Sequence, residues 1–263
     1  MSLPWEVDAN TLALYHCDTG SGTTLVDETG NYNATLQSSD AWSTEHKFGT
    51  HSFYSNNLYQ ATQATLLDTV PANGTIEFWF CPDSTIPATH TFWPLIAKWN
   101  TTGPDEYMRI NFLENDQRIN FFMAVGGATY NLYSTTTTWT GGQWYHVRCT
   151  WGSNGMELWV NGVKEDSNTF TGHMSNGTQS DFFICGYWSG SYRFPGKIDE
   201  LRVSNIQRSD GQTEREPVGT NMKINIGGAW KDISEMKINV GGSWKNVTAV
   251  KINVGDTWKD VYG

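Results

Sequence analysis

Groups able to do acid–base or covalent chemistry are present in this sequence, but their spacing argues against catalysis. Glycoside hydrolysis needs two carboxylates facing one substrate. A strand carrying E-x-D-x-E would align them on one face, and no such triple occurs. Asp199 and Glu200 are adjacent in a strand-like run, so alternation turns them to opposite faces. The six histidines, at 16, 46, 51, 90, 146 and 173, show neither H-x-x-x-H nor H-E-x-x-H spacing. No G-x-S-x-G elbow accompanies the serines. Cys17, Cys81, Cys149 and Cys185 form no C-x-x-C pair and lie in strand-like runs, which points to buried thiols, with one or two disulfides as the alternative. The chain is therefore expected not to be an enzyme.

Recognition chemistry is better represented. A sugar site needs an aromatic platform for the apolar face of a pyranose, with polar groups for its hydroxyls. Cys185-Gly-Tyr-Trp-Ser-Gly-Ser-Tyr-Arg193 sets Tyr187, Trp188 and Tyr192 in a Gly/Ser loop with no evident core to fill. Arg193, beside them, could reach a hydroxyl or a carboxylate. A second candidate is the stretch from Trp99 to Tyr107, and a third is Tyr130 and Tyr133 with Trp139. For each, packing at a sheet edge is the alternative. The net charge is −10. Residues 222–263 hold six Lys against four acids, and the rest holds eleven basic against twenty-three acidic residues. Such an acidic surface disfavours nucleic acid and anionic membrane, and suits metal ligation and polar ligands.

The elements that must position these groups read as strands. Thirteen Trp, eleven Tyr and twelve Phe sit among many Thr, Gly and Asn. Strands are predicted over 12–16, 51–54, 75–81, 93–99, 107–112, 118–124, 129–133, 144–151, 157–160, 181–186 and 196–204, with turn clusters between them. In residues 143–163, Tyr145, Val147, Cys149 and Trp151 alternate with polar residues before the turn Gly152-Ser153-Asn154-Gly155, and a second strand ends at Asn161-Gly162. In 75–81 both faces are apolar, so this strand is predicted to be central and covered on both sides. In 197–204, alternation puts Ile198, Glu200, Arg202 and Ser204 on one face and Asp199, Leu201 and Val203 on the other. Asp199 at the edge of an apolar face would need a positive partner, and calcium suits its oxygen.

Five segments in order carry a family resemblance. They are Thr11-Leu-Ala-Leu-Tyr-His16, Val26-Asp-Glu-Thr-Gly-Asn-Tyr-Asn33, Gly74-Thr-Ile-Glu-Phe-Trp-Phe80, the 143–163 hairpin and Gly196-Lys-Ile-Asp-Glu-Leu-Arg-Val-Ser204. Together they resemble a laminin G-like domain of the concanavalin A-like group. The resemblance implies an all-β jelly-roll sandwich of two antiparallel sheets over 1–206. Its relatives include lectins, adhesion modules and glycosidases, so it says less about function. It also implies a structural calcium ion shared by Asp27, Asn31 or Asn33, and Asp199. The alternative is that Asp27 and Asn31 make Asx-type turn bonds and that Asp199 bonds backbone amides.

Residues 207–221 read as a linker, and 222–263 as three 14-residue β-hairpin repeats: MKINIGGAWKDISE, MKINVGGSWKNVTA and VKINVGDTWKDVYG. These resemble repeats at the ends of bacteriophage tail and fibre proteins. The expected function is a lectin-like, non-catalytic carbohydrate-binding module of a phage tail or fibre, or of a related surface-attachment protein. It would recognise a cell-surface polysaccharide or glycan as a receptor, with residues 222–263 anchoring it or forming a homo-oligomer such as a trimer. The alternative is a structural or adhesion protein that binds a protein partner without sugar. Neither a signal peptide nor a membrane span is read in the chain, and a virion or extracellular location is expected.

Overall fold

The computed structural model describes residues 4–39, 41–56, 58–84, 90–100, 106–174, 181–187 and 193–208, together with the backbone of six strands between 223 and 262. The chain divides into two units, Pro4–Thr213 and a second that contains Glu214–Gly263. The first unit begins with β1 Thr11–Tyr15, β2 Thr24–Leu25, β3 Ala34–Leu36, β4 Trp42–Ser43, β5 Ser52–Tyr54, β6 Ala61–Gln63, β7 Gly74–Pro82 and β8 Phe92–Asn100. It continues with β9 Glu106–Leu113, β10 Arg118–Val125, β11 Ala128–Tyr133, β12 Tyr145–Trp151, β13 Met156–Val160, β14 Val163–Asn168, β15 Phe182–Ile184 and β16 Gly196–Ser204.

These strands form two antiparallel sheets of eight. The first runs β14-β13-β12-β7-β16-β5-β4, with β1 also paired to β16. The second runs β11-β10-β9-β8-β15-β6-β3-β2. Period-2 alternation sends Ile76, Phe78, Phe80, Val147, Cys149 and Trp151 inward from the first sheet, and Ile110, Phe112, Ile119, Phe121 and Met123 from the second. All are buried in one cluster, so the two sheets pack as a sandwich. No helix long and apolar enough to cross a membrane occurs among the described residues. The four cysteines are free and buried, and burial raises each thiol pKa, which leaves them unreactive.

The 143–163 hairpin forms as its alternation predicts, with Val147 opposite Val160 and Thr150 opposite Glu157. Asn161 and Gly162 both have positive φ, at 47° and 79°, as a tight turn into β14 requires. The central strand β7 is buried along its whole length. Its outer face is covered by Trp5 and Leu14, which cluster with Trp79.

The closing strand departs from simple alternation. Asp199 lies opposite Trp79 and Arg202 opposite Glu77, so β16 carries one extra residue, and Glu200 has φ +49°. The bulge puts Ile198, Leu201 and Val203 together in the core and leaves Asp199 and Arg202 on the outer face. The expected grouping of Ile198 with Glu200, and of Asp199 with Leu201, is thereby corrected.

In the second unit, Lys223–Ile226 pairs with Ala229–Asp232, Lys237–Val240 with Ser243–Asn246, and Val250–Val254 with Thr257–Tyr262. Each repeat therefore closes on itself as a two-stranded hairpin with an Asn opposite its Trp.

Candidate functional site

The outer face of the second sheet carries a continuous aromatic surface. On β9, Met108, Ile110 and Phe112 enter the core, which turns Tyr107, Arg109 and Asn111 outward. Pairing of β8 with β9 puts Trp99 opposite Tyr107, and the rings stack at 4.2 Å and 8°. Tyr107 stacks in turn on Phe122 of β10, at 4.9 Å and 12°. Tyr187, just after β15, meets Trp99 edge-on at 5.5 Å and Phe92 at 6.4 Å. The Arg109 guanidinium lies 4.8 Å from the Phe92 ring centroid and 5.0 Å from those of Tyr107 and Phe122. All these side chains are half-buried.

An amide row extends this surface. Asn111 Nδ2 donates to Asn120 Oδ1 at 3.2 Å, and Asn120 Nδ2 donates to Asn131 Oδ1 at 3.1 Å. At the end of the row, Thr91, Leu113, Asn115, Asp116, Arg118 and Tyr133 line a depression of about 410 Å³. Flat rings beside oriented amides and a cation are the groups a polyhydroxylated ligand calls for.

The carboxylates of the expected metal site are otherwise engaged. Asp27, 2% exposed, accepts at Oδ1 from the amides of Leu14 (2.9 Å) and Thr29 (3.2 Å). Its Oδ2 accepts from the amides of Asn31 and Tyr32 and from the Thr29 hydroxyl. Asn33 Oδ1 accepts from the Asp27 amide. Asp199 accepts at Oδ2 from the amides of Lys47 (2.7 Å) and Phe48 (3.1 Å), and at Oδ1 from that of Glu200 (2.8 Å). Both carboxylates thus face N–H dipoles, and this donor set does not fit a calcium ion, which would have to displace it. No cluster of three or more His, Cys, Asp or Glu suited to a metal occurs among the described residues.

A family model described as the concanavalin A-like lectin/glucanases superfamily matches residues 53–213. The chain belongs to this superfamily. No curated protein sequence matches it. Among solved structures, this superfamily member is similar to domain 4 of AbnA, an extracellular arabinanase from Geobacillus stearothermophilus, in complex with arabinotriose. The identity is 19% and the TM-score 0.60, over 79% of this chain and 98% of that one. It is also similar to the Trypanosoma rangeli sialidase (15%, TM-score 0.56), over 79% of this chain and 32% of the sialidase. The binding domain of botulinum neurotoxin serotype G is 12% identical with a TM-score of 0.56, over 90% of this chain and 65% of that one. Binding domains and enzymes thus share the fold, and at these identities the likeness is one of fold alone.

Within this superfamily domain, Trp99, Tyr107 and Tyr187 come together on one surface. Trp188 and Tyr192 lie outside the described residues. Arg193 is half-buried and makes none of the ring contacts above among the described residues. Phe92, Arg109, Phe122 and the three asparagines were not among the expected site residues. Their signal was the outward set Tyr107-Arg109-Asn111, visible once Met108-Ile110-Phe112 is assigned to the core. The third candidate disperses, because Tyr130 stacks on Phe170 at 3.5 Å while Trp139 packs against Phe80, Phe112 and Tyr145.

The buried closing strand predicts a pH dependence. Burial pushes the Asp199 carboxyl up from 3.8 to about 8, against the pull of the Phe48 amide and with the push of neighbouring Glu200. Between these values the folded chain holds a proton that the unfolded chain has lost, so stability falls as pH rises through the window. His16 acts in the same sense. Burial opposes its charge, but the Glu200 contact at 2.6 Å outweighs it and raises its pKa. His146 acts in the opposite sense, because burial lowers its pKa from 6.5 and its part of the stability returns as pH rises to that value, while Asp8, held low by its Arg208 bonds, titrates below this window. Urea unfolding should give a higher midpoint at about pH 5 than at about pH 8.5, and Asp199→Asn should shrink the difference. An unchanged difference in that variant would show that Asp199 is already ionised in the fold.

Proposed function

We propose that this superfamily domain is a non-catalytic carbohydrate-binding module that recognises a cell-surface glycan. The observation that carries the reading is the stack of Trp99, Tyr107 and Phe122, flanked by Arg109 and an amide row. It is supported by the domain 4 structure, a domain of this fold described in complex with arabinotriose. A non-catalytic role is supported by Asp199 and Glu200, which are 0% and 1% exposed and engaged with Trp5, His16 and the 47–48 backbone. The placement in a phage tail or fibre rests on the three C-terminal repeats, which would anchor the module or join it to further copies. A virion or extracellular setting follows from that placement. Half-burial of the rings against one another favours a second reading, adhesion to a protein surface without sugar.

A glycan array and binding to whole cell envelopes separate the two readings. The full chain should bind at least one glycan, and Tyr107→Ala should weaken that binding by roughly tenfold or more, as a central aromatic contact does. Binding to a purified protein partner with no glycan retained would select the adhesion reading, and no binding to glycan or envelope would remove the module reading. A chain ending at residue 213 should keep the glycan and lose any oligomeric mass. An unchanged mass in solution would deny the repeats a role in assembly.

A further inference from the structure

Arg109 is a half-buried cation at the centre of the aromatic face. Its guanidinium lies within 4.8–5.8 Å of the ring centroids of Phe92, Tyr107, Phe122 and Tyr187. These rings attract the cation but leave its N–H donors unused. Its Nε is buried without a hydrogen bond, and no ion pair to it exists among the described residues. Neither Nη nitrogen is among the buried unpaired atoms, so these two keep their contact with solvent. Loss of hydration pulls its pKa down.

That situation is costly for the free protein. A partly desolvated guanidinium is normally met by a carboxylate, whose geometry its planar fork matches. Residues 1–221 hold twenty-three acids against eleven bases, yet none of the described acids pairs with Arg109. The strand's own acid, Glu106, has the opposite parity and is buried on the other side of the sheet. A cation held between ring faces, with its N–H edge towards solvent, is preorganised for an oxyanion that arrives with the ligand.

We propose that the glycan taken by this face is anionic, with the carboxylate or sulfate of a sugar residue received by the Nη edge of Arg109 and the pyranose lying against Trp99 and Tyr107. The inference rests on the carbohydrate-binding reading and names the ligand class for it. Charge-assisted bonds of this kind contribute more than neutral ones. Because the cation is partly exposed, added salt weakens the interaction without abolishing it.

The test titrates the full chain with oligosaccharides bearing uronic or sialic acid, with sulfated oligosaccharides, and with the neutral counterpart of each. Anionic forms should bind roughly tenfold tighter or more than neutral ones. Arg109→Gln should remove that preference, so that anionic and neutral forms bind the variant equally. Arg109→Lys, which keeps a point charge without the planar fork, should retain part of it. Lys164→Gln, which removes a charge from the edge of the other sheet, should leave it intact. Thermal melts of both Arg109 variants show whether each is folded, and the Lys variant carries the test if the Gln variant is not. The carboxylate and sulfate arms identify the oxyanion. Neutral glycans bound as tightly as anionic ones would overturn the proposal and leave the module reading standing. So would an anion preference indifferent to Arg109, or one equally lost in Lys164→Gln. Absence of all glycan binding would overturn both.

Discussion

Replacing Glu77 by alanine should lower the unfolding free energy by about 3–5 kcal/mol, the cost of breaking a buried ion pair from one side. Glu77 is 1% exposed on the outer face of β7. Its Oε1 accepts from Arg202 Nε at 2.8 Å and lies 2.6 Å from Nη2 of the same guanidinium. Arg208 Nε lies 3.8 Å from that oxygen, and His146 Nε2 lies 3.5 Å from Oε2. Removing the carboxylate leaves two arginines, 9% and 8% exposed, without this counter-charge. The loss also reaches the ends of the sandwich, because Arg208 grips Asp8 with two bonds of 2.9 Å and donates to Ser204 Oγ. Glu77→Gln keeps the shape and one acceptor and should lose less. Asp8→Ala should lose less still, since that side chain is 44% exposed and its pair is screened by water. Denaturant unfolding of the three variants checks the order. A Glu77→Ala loss below about 1 kcal/mol would mean that water reaches the arginines.

That network was not legible in the sequence, although the strand that carries it was. The run Thr75 to Cys81 declares a strand covered on both faces, but not that one cover is a Trp5 cluster with a glutamate beneath it. Strong alternation or apolar runs made the long strands readable. The short ones, Thr24–Leu25, Ala34–Leu36, Trp42–Ser43 and Ala61–Gln63, carry too few residues for any period to show. Val163–Asn168 is a strand because β13 pairs with it, not because VKEDSN favours one. The bulge at Glu200 depends on a positive φ in a residue other than glycine, which composition does not reveal. The site was half legible for a related reason. The sequence puts Trp99 and Tyr107 at the ends of two strands that flank a loop, but does not show that these ends pair and stack their rings. In Asn120-Phe121-Phe122-Met123, two adjacent phenylalanines go to opposite faces, and only the register with β9 assigns Phe121 to the core and Phe122 to the stack.

Asp27→Ala should cost about 2–4 kcal/mol, while EDTA should leave the thermal midpoint of the unmodified chain unchanged. Both expectations follow from which atoms face the carboxylate. Four backbone amides and one hydroxyl converge on it, from Leu14 on β1 and from Thr29, Asn31 and Tyr32 within the turn. The carboxylate therefore folds its own loop back on itself and fastens that loop to β1. Alanine removes every one of these acceptors at once. The amide of Leu14 is buried and cannot be rehydrated at its present position, so part of the loss is an unsatisfied donor. Asp27→Asn keeps one acceptor oxygen but turns an NH₂ group towards at least one N–H, and should fall between the two. A cation would reverse each of these signs. It would need the amides to turn away and oxygen ligands to turn in, and its removal by EDTA would then lower the midpoint as Asp27→Ala does. A midpoint that rises with added calcium, falls with EDTA and loses both responses in Asp27→Ala would restore the ion to this turn. Indifference to both, with the alanine cost intact, would show that N–H dipoles do here the work that a metal does elsewhere.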